Sequence, residues 1–441
     1  MTAYCDGILR GGPKNPSPNE AAGPIAQAAG ERLRDRQARI FRGTLLAGRS
    51  VPIFTFAVSQ DLFAFPPFDL SRLFRTVFAP RRGERIALLI DLPDPQRVRD
   101  HAFLGDPGRP VQRLAYEVFF EGLRKGVREE LGLVGGDLFA YAETGGSNLD
   151  LPQEAFDAVG KRLLFDQDLY PRFDIFLCFS RFSATAPLSA KAKAFGFRGA
   201  TMHGLNRTIL ATGLSVDYEK VSRQAEILRS GLSGADRFRI DYRIDGCPLS
   251  LTLETSGAEA QKSHGICRGE QPDIVNLPAG EVYFVPKGAE GDFPLRLEDG
   301  TTAIVRVSGG RAQAARLLRG DPARIALYNR RLAEDPAAGE VGELGFGTQS
   351  LPPAGPDIQD EKILGTFHLA TGRSDHLGGP LGPAGFRNPR NATHDDILFA
   401  PFKTPDIQVP QVRMERNGET QILLEDYRLG PYFRKLLGRT E

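Results

Sequence analysis

Residues 237–254 read RFRIDYRIDGCPLSLTLE: two runs of alternating apolar and polar residues joined by Asp245-Gly246. Alternation puts every second side chain on one face, and Asp-Gly accepts the positive φ of a two-residue turn, so the stretch predicts a β-hairpin. The pattern returns at 294–307 (PLRLEDGTTAIVRV) around Asp299-Gly300, and at 412–424 (VRMERNGETQILL) around Asn417-Gly418. Beyond residue 235 the chain therefore reads as β-rich, with one helical insert expected over 310–334.

Upstream the grammar differs. ERIALLIDL (84–92) is apolar without alternation, as in a parallel strand covered on both faces. A helical stripe follows at Ala115, Phe119, Leu123, Val127 and Leu131. Strand-like DLFAYAE (137–143), DIFLCFSRF (174–182) and ATMHG (200–204) come next, then a helix over 217–235. Such strand–helix–strand alternation predicts an open sheet. The expected class is α/β: an N-terminal open α/β sheet domain over 46–235, then a β-rich α+β metal-binding domain over 236–441. An extension over 1–45 precedes them, with an irregular Gly- and Pro-rich start and a short helix over 31–41. VPIFTFAVS (51–59) reads as a further buried strand.

A chain of 441 residues has room for two cores. Its 56 Lys+Arg against 55 Asp+Glu offer no electrostatic grip on nucleic acid or an anionic membrane. No apolar run reaches the roughly 20 residues that span a bilayer, and the opening MTAYCDGILRGG lacks the basic-then-apolar pattern of a signal peptide. Cys5, Cys178, Cys247 and Cys267 are widely spaced without a CxxC pair, which suits a reducing compartment; a cytoplasmic protein is expected. Neither a phosphate-binding Gly loop nor GxSxG nor HExxH occurs, so nucleotide-fold, serine-hydrolase and zincin readings lack support.

The chemistry concentrates between 340 and 401. Three of the six histidines lie there, at 368, 376 and 394, among carboxylates at 340, 343, 360, 361, 375, 395 and 396. Imidazole with carboxylate is the ligand set of zinc, iron, cobalt or manganese. His394 and Asp396 share a face if the strand continues through ILFAP; a surface turn after Asn391 is the alternative. KILGTFHLATG (362–372) reads as a strand with Leu364, Thr366, His368 and Ala370 on one face, where a hydrogen-bonded core histidine is the plain alternative. Glu361 stands an odd step from His368 and joins it only if the chain bends near its start. Glu281 heads a strand in NLPAGEVYFVP and is either aimed into a cleft or solvated. Glu340 and Glu343 lie among glycines that allow close approach of backbone to a metal. His203 and His264 have no partner at ligand spacing, and Cys178 reads as core.

Taken in order, NLPAGEVYFVP, GELGFG, DEKILGTFHLATG and THDDIL resemble the motifs of the aminopeptidase T family of metalloaminopeptidases. FSATAPLSAKAKAFGFRGATMHG (182–204) resembles the stretch before that family's domain junction. The resemblance implies a dinuclear site on Glu281, Glu343, Glu361, His368, His394 and Asp396, holding two ions of zinc, cobalt or manganese. It further implies hydrolysis of an amide or N-terminal peptide bond in a small substrate, with Glu281 or Glu343 as proton shuttle, and a dimer or larger homo-oligomer. Glu340, Asp360, His376 and Asp395 are set aside as bystanders.

Two positions depart from the family. Gly280 stands where many members have a second Glu, and Asp375 where its peptidases have a Tyr. An ionised carboxylate repels an oxyanion, so Asp375 is read as a catalytic-site residue that recognises the substrate amine. The same superfamily includes enzymes resembling 2,5-dihydroxypyridine 5,6-dioxygenase. That alternative implies a single Fe(II) on His368, His394 and Asp396, a reading against which the retained Glu343 and Glu361 count. A non-catalytic binding protein is the third reading.

Overall fold

Two sheet grammars meet in the computed structural model of this chain, which describes residues 65–439. The irregular start, the helix over 31–41 and the strand over 51–59 lie outside the described residues.

The first grammar is parallel. Arg85–Leu92 is the centre of a seven-stranded sheet, flanked by Val134–Ala142 on one side and Ile175–Phe179 on the other. Arg198–Thr201 follows Ile175–Phe179, and Ile274–Asn276 completes that edge, all in parallel. Seven of the eight residues of Arg85–Leu92 are buried, which is why the segment reads as apolar without alternation. The helical stripe over 115–131 is present, but as α-turns around two π-helical stretches, Ala115–Phe120 and Leu123–Val127, broken where Gly126 takes φ +121°. Tyr218–Leu232 is a regular helix. Asp217 caps it by accepting from the Glu219 and Lys220 amides, and Val221, Ala225, Leu228 and Leu232 form its buried stripe.

The second grammar is antiparallel and fills two sheets, one of eight strands and one of five. All three expected hairpins are there. Ala235–Ile244 and Cys247–Ala258 close on Asp245-Gly246, and Ile407–Arg416 and Glu419–Glu425 on Asn417-Gly418. Both turn residues have positive φ in each case, the mirror-image turn that matches strand twist. The middle hairpin pairs Arg296 with Thr302 and so has a longer loop. The helical insert expected over 310–334 needs correction: Pro322–Glu334 is a helix, but Arg311–Arg319 is a strand paired with Thr302–Ser308. Positive φ at Gly309 and Gly310 turns the chain back onto the sheet edge, and pairing overrides the helix-forming composition of RAQAARLLR.

The five-stranded sheet runs His394–Phe399, Phe367–Gly372, Val341–Gly347, Glu281–Phe284 and Gln261–Ser263. One of its faces carries Val282, Phe284, Leu344, Phe346, Phe367, Leu369 and Phe399 into the core that the eight-stranded sheet shares. The expected α/β class is thus the observed one, a parallel α/β layer followed by β-rich layers. Among the described residues no helix is long and apolar enough to cross a membrane.

Leu344 is fully buried on the central strand of this face. Leu344→Ala should cost about 2–5 kcal/mol of stability by chemical denaturation. A loss below about 1 kcal/mol would show that this face is not the packing surface described.

Candidate metal centre

Cross-strand register decides which side chains meet on the other face of the five-stranded sheet. Glu281 stands opposite Gly347, His368 opposite Gly345, and Glu343 opposite Ala370. Asp396 pairs with Ala370 and His394 with Gly372. Residues directly opposite share a face, so the acids and imidazoles project together, interleaved with Gly and Ala. Glu281 is the first residue of its strand. Gly280 before it has φ +125°, and a Cβ there would overlap the Gln349 side chain, so this position admits glycine only.

Glu361 arrives by a different route. It ends the short helix Asp357–Asp360, and the chain then turns through Gly365 (φ +97°) before the strand Phe367–Gly372 begins. The strand expected over 362–372 is therefore shorter, and Leu364 and Thr366 belong to the turn. That turn is the bend the odd spacing required.

Three overlapping groups result. Glu281, Glu343 and His368 offer ligand atoms within 4.8 Å of one another, as do Glu343, His394 and Asp396, and Glu361, His368 and Asp396. His394 Nε2 is 2.9 Å from Glu343 Oε2 and 3.2 Å from Asp396 Oδ1. His368 Nε2 is 2.9 Å from Glu281 Oε1 and 3.5 Å from Glu343 Oε1.

The donor set fits a divalent cation. His394 Nδ1 is 2.6 Å from the Arg373 carbonyl oxygen, which can only accept, so Nδ1 carries the hydrogen and Nε2 faces the carboxylates as a ligand should. Glu281 Oε1 is buried without a hydrogen bond, its approach to His368 lying outside hydrogen-bond geometry. Such orphans are rare in proteins, and a water held beside a bound cation would give this one its missing partner.

Burial disfavours every charge here, yet the charges hold one another. Despite burial, His368 and His394 keep Glu343 well below the usual carboxylate range. Burial alone would lower both imidazoles, but Glu281 and Glu343 raise His368, and Asp396 and Glu343 raise His394. Lys362 joins them without any signal in the sequence. Its side chain is 1% exposed, with Nζ 2.5 Å from Glu281 Oε2 and 2.6 Å from Glu361 Oε1. These two carboxylates outweigh burial and hold the lysine above its ordinary range.

The cluster opens onto a cavity of about 160 Å³. Its facing wall includes Ser183, Thr185, His203 and Asn276, which follow or end parallel strands. Burial lowers the pKa of His203 to about 4. A larger groove of about 360 Å³, lined by Tyr328, Arg331, Asp395 and Lys403, holds no histidine and only Asp396 of the cluster.

The remaining candidates lie elsewhere. Arg373, 2% exposed, binds Asp375 through Nε at 2.7 Å and Nη2 at 3.2 Å, and Asp375 does not line the cavity. Glu340 pairs with Arg311, Asp395 with Arg331, and Asp360 accepts from the Ala354 and Gly355 amides. His376, a bystander by its sequence, does line the cavity.

No family model and no curated protein matches the chain. Among solved structures it is similar to 2,5-dihydroxypyridine dioxygenase from Pseudomonas putida KT2440, with a TM-score of 0.53 and 12% identity over 82% of this chain and 97% of that one. It is also aligned with AmpT from Thermus thermophilus at a TM-score of 0.38 and 14% identity, over 81% and 98% of the two chains. The first likeness is one of fold alone, and the second is too loose to add to it.

Gly345 lies against the cluster: a Cβ there would overlap His368 Cε1 and come within 2.5 Å of Glu281 Oε1. Gly345→Ala should weaken zinc binding about tenfold or more by calorimetry while circular dichroism is unchanged. His394→Ala should abolish binding, whereas Asp375→Ala should leave it intact and lower thermal stability by depriving buried Arg373 of a partner. Metal loss in the Asp375 variant would contradict its position outside the ligand groups.

Proposed function

We propose that the protein is a metal-dependent hydrolase that cleaves an amide bond, in the simplest case the N-terminal peptide bond of a small peptide. Glu343, His394 and Asp396 form one ligand set, and Glu361, His368 and Asp396 the other; zinc, cobalt or manganese suits both. Two divalent ions bound there supply Lewis-acid polarisation of a carbonyl and a water of near-neutral pKa.

One observation carries the reading: Glu281 is a buried carboxylate with one oxygen held by Lys362 and the other unbonded beside the ligands. Hydrolysis needs such a base. Glu281 Oε1 takes the proton of the attacking water and delivers it to the leaving amine, while Lys362 holds the side chain in place. Ser183, Thr185 and Asn276, hydrogen-bonded to one another and to Asn148 and Thr201, make the facing wall polar, in keeping with an amide substrate.

A second reading takes the two-histidine, one-carboxylate set His368, His394 and Asp396; Asp396 groups with each histidine separately, and its side chain is 30% exposed and open to a ligand. The reading is that of a mononuclear Fe(II) oxygenase. The fold shared with a dioxygenase does not decide between them, since one fold hosts many reactions.

Metal analysis after gentle purification, with aminoacyl amides assayed under zinc, cobalt or manganese, separates the two. Hydrolysis with two ions per chain is expected; a single iron and product only with oxygen would overturn the hydrolase. Glu281→Gln should keep the metal and lose about 10²–10⁴-fold in kcat. Loss of metal in that variant would make Glu281 a ligand instead.

A further inference from the structure

A strand at the rim of an antiparallel sheet turns every second residue's backbone N–H and C=O away from its neighbour, and an extended chain can pair with them. His394–Phe399 is such a strand. It pairs with Phe367–Gly372 on one side, and among the described residues no strand pairs with the other. Hydrogen bonds at its start fix which residues face outward. Arg373, which follows Phe367–Gly372, donates its amide hydrogen to the Thr393 carbonyl at 2.8 Å. The His394 amide points the opposite way and donates to the Ser147 carbonyl at 3.3 Å. Backbone groups alternate along a strand, so those of Asp396 and Leu398 leave the sheet on the side of Ser147. Ser147 takes only the His394 position; among the described residues, neither Asp396 nor Leu398 bonds a backbone group beyond it.

These open positions adjoin the candidate metal centre. Asp396 lines both the cavity of about 160 Å³ and the groove of about 360 Å³, so the two meet at its place on the edge. The groove follows the strand from Asp395 to Phe399 and is walled by Leu297, Tyr328 and Leu332. The Tyr328 hydroxyl is enclosed there without a hydrogen-bond partner. Open backbone donors and acceptors along one wall, with an unbonded hydroxyl on another, match the polar main chain of a peptide rather than an apolar guest.

We propose that the open edge of His394–Phe399 is a peptide-docking site, where the substrate's main chain beyond the scissile bond adds as a further strand at Asp396 and Leu398. The inference rests on the hydrolase reading and narrows its substrate to an extended peptide. Engaging both positions takes about three residues of that chain, each rising ~3.3 Å. Main-chain pairing is blind to side chains, so the edge selects for length and an intact backbone rather than for sequence.

The test uses the zinc-loaded full chain and a pentapeptide whose first amide is reduced to –CH2–NH–, so that it binds uncleaved. At saturation the Asp396 and Leu398 amides should exchange hydrogen about tenfold more slowly or less. The cleavable pentapeptide should exceed the matching aminoacyl amide about tenfold or more in kcat/KM. Replacing single downstream amides by esters, which removes one N–H at a time, should forfeit part of that gain at alternate positions and little between them. Cleavage of the aminoacyl amide and the pentapeptide within about twofold of each other, with exchange at Asp396 and Leu398 unchanged, would overturn the inference and leave hydrolysis standing. Slowed exchange on raising the protein concentration alone, with a dimer in sedimentation, would overturn it by giving the edge to a second copy. A wild type that cleaves neither compound sinks the hydrolase reading, and with it the claim that the docked chain is a substrate, while the exchange measurement still decides whether a peptide docks.

Discussion

A sheet face can carry buried charge only if each charge has a partner and the reverse face supplies the packing. That constraint shapes the five-stranded sheet. Glu281, Glu343, His368 and His394 are all nearly inaccessible to solvent, and each lies within 3.5 Å of an opposite partner. An isolated buried ion costs several kcal/mol, so removing one member leaves the others uncompensated. Lys362 extends the balance by neutralising part of the carboxylate excess. The apolar side chains of the reverse face provide the burial that holds this arrangement in place.

The interleaved glycines and alanine follow from the same constraint. Side chains directly opposite on neighbouring strands have Cβ atoms about 4.5–5.5 Å apart, too crowded for two large polar groups with room for a cation between them. Gly345 beside His368, Gly347 beside Glu281 and Ala370 beside Glu343 leave that room. A charged cluster on a sheet therefore shows in sequence as functional residue, apolar residue, small residue. GELGFG and HLATG follow that spacing.

Much of this is legible because strands are periodic. The hairpins follow from Asp-Gly and Asn-Gly, the parallel strands from unbroken apolar runs, and the shared face of His394 and Asp396 from a spacing of two. What stays hidden depends on turns. Lys362 follows Glu361 directly, and strand alternation would send neighbours to opposite faces; both lie at the end of the helix Asp357–Asp360, where that rule does not hold, and both reach Glu281's neighbourhood. His376 escapes for the same reason, since it lies in the short helical turn Asp375–Leu377 where period-two reasoning does not apply. Arg311–Arg319 reads as helix because its composition favours one, while its pairing partner lies across a glycine turn.

The two grammars also divide the labour of the cavity. In open parallel sheets ligands bind beyond the carboxyl ends of the strands, where loops present polar groups. Ser183 follows Ile175–Phe179, His203 follows Arg198–Thr201, and Asn276 ends Ile274–Asn276. That wall faces an antiparallel sheet whose acids and imidazoles are locked by register. Hydroxyl and amide groups on loop ends can change without disturbing the cluster, whereas a change at Gly345 or Glu343 disturbs all of it. On the hydrolase reading proposed above, substrate choice belongs to the parallel side and reactivity to the antiparallel side.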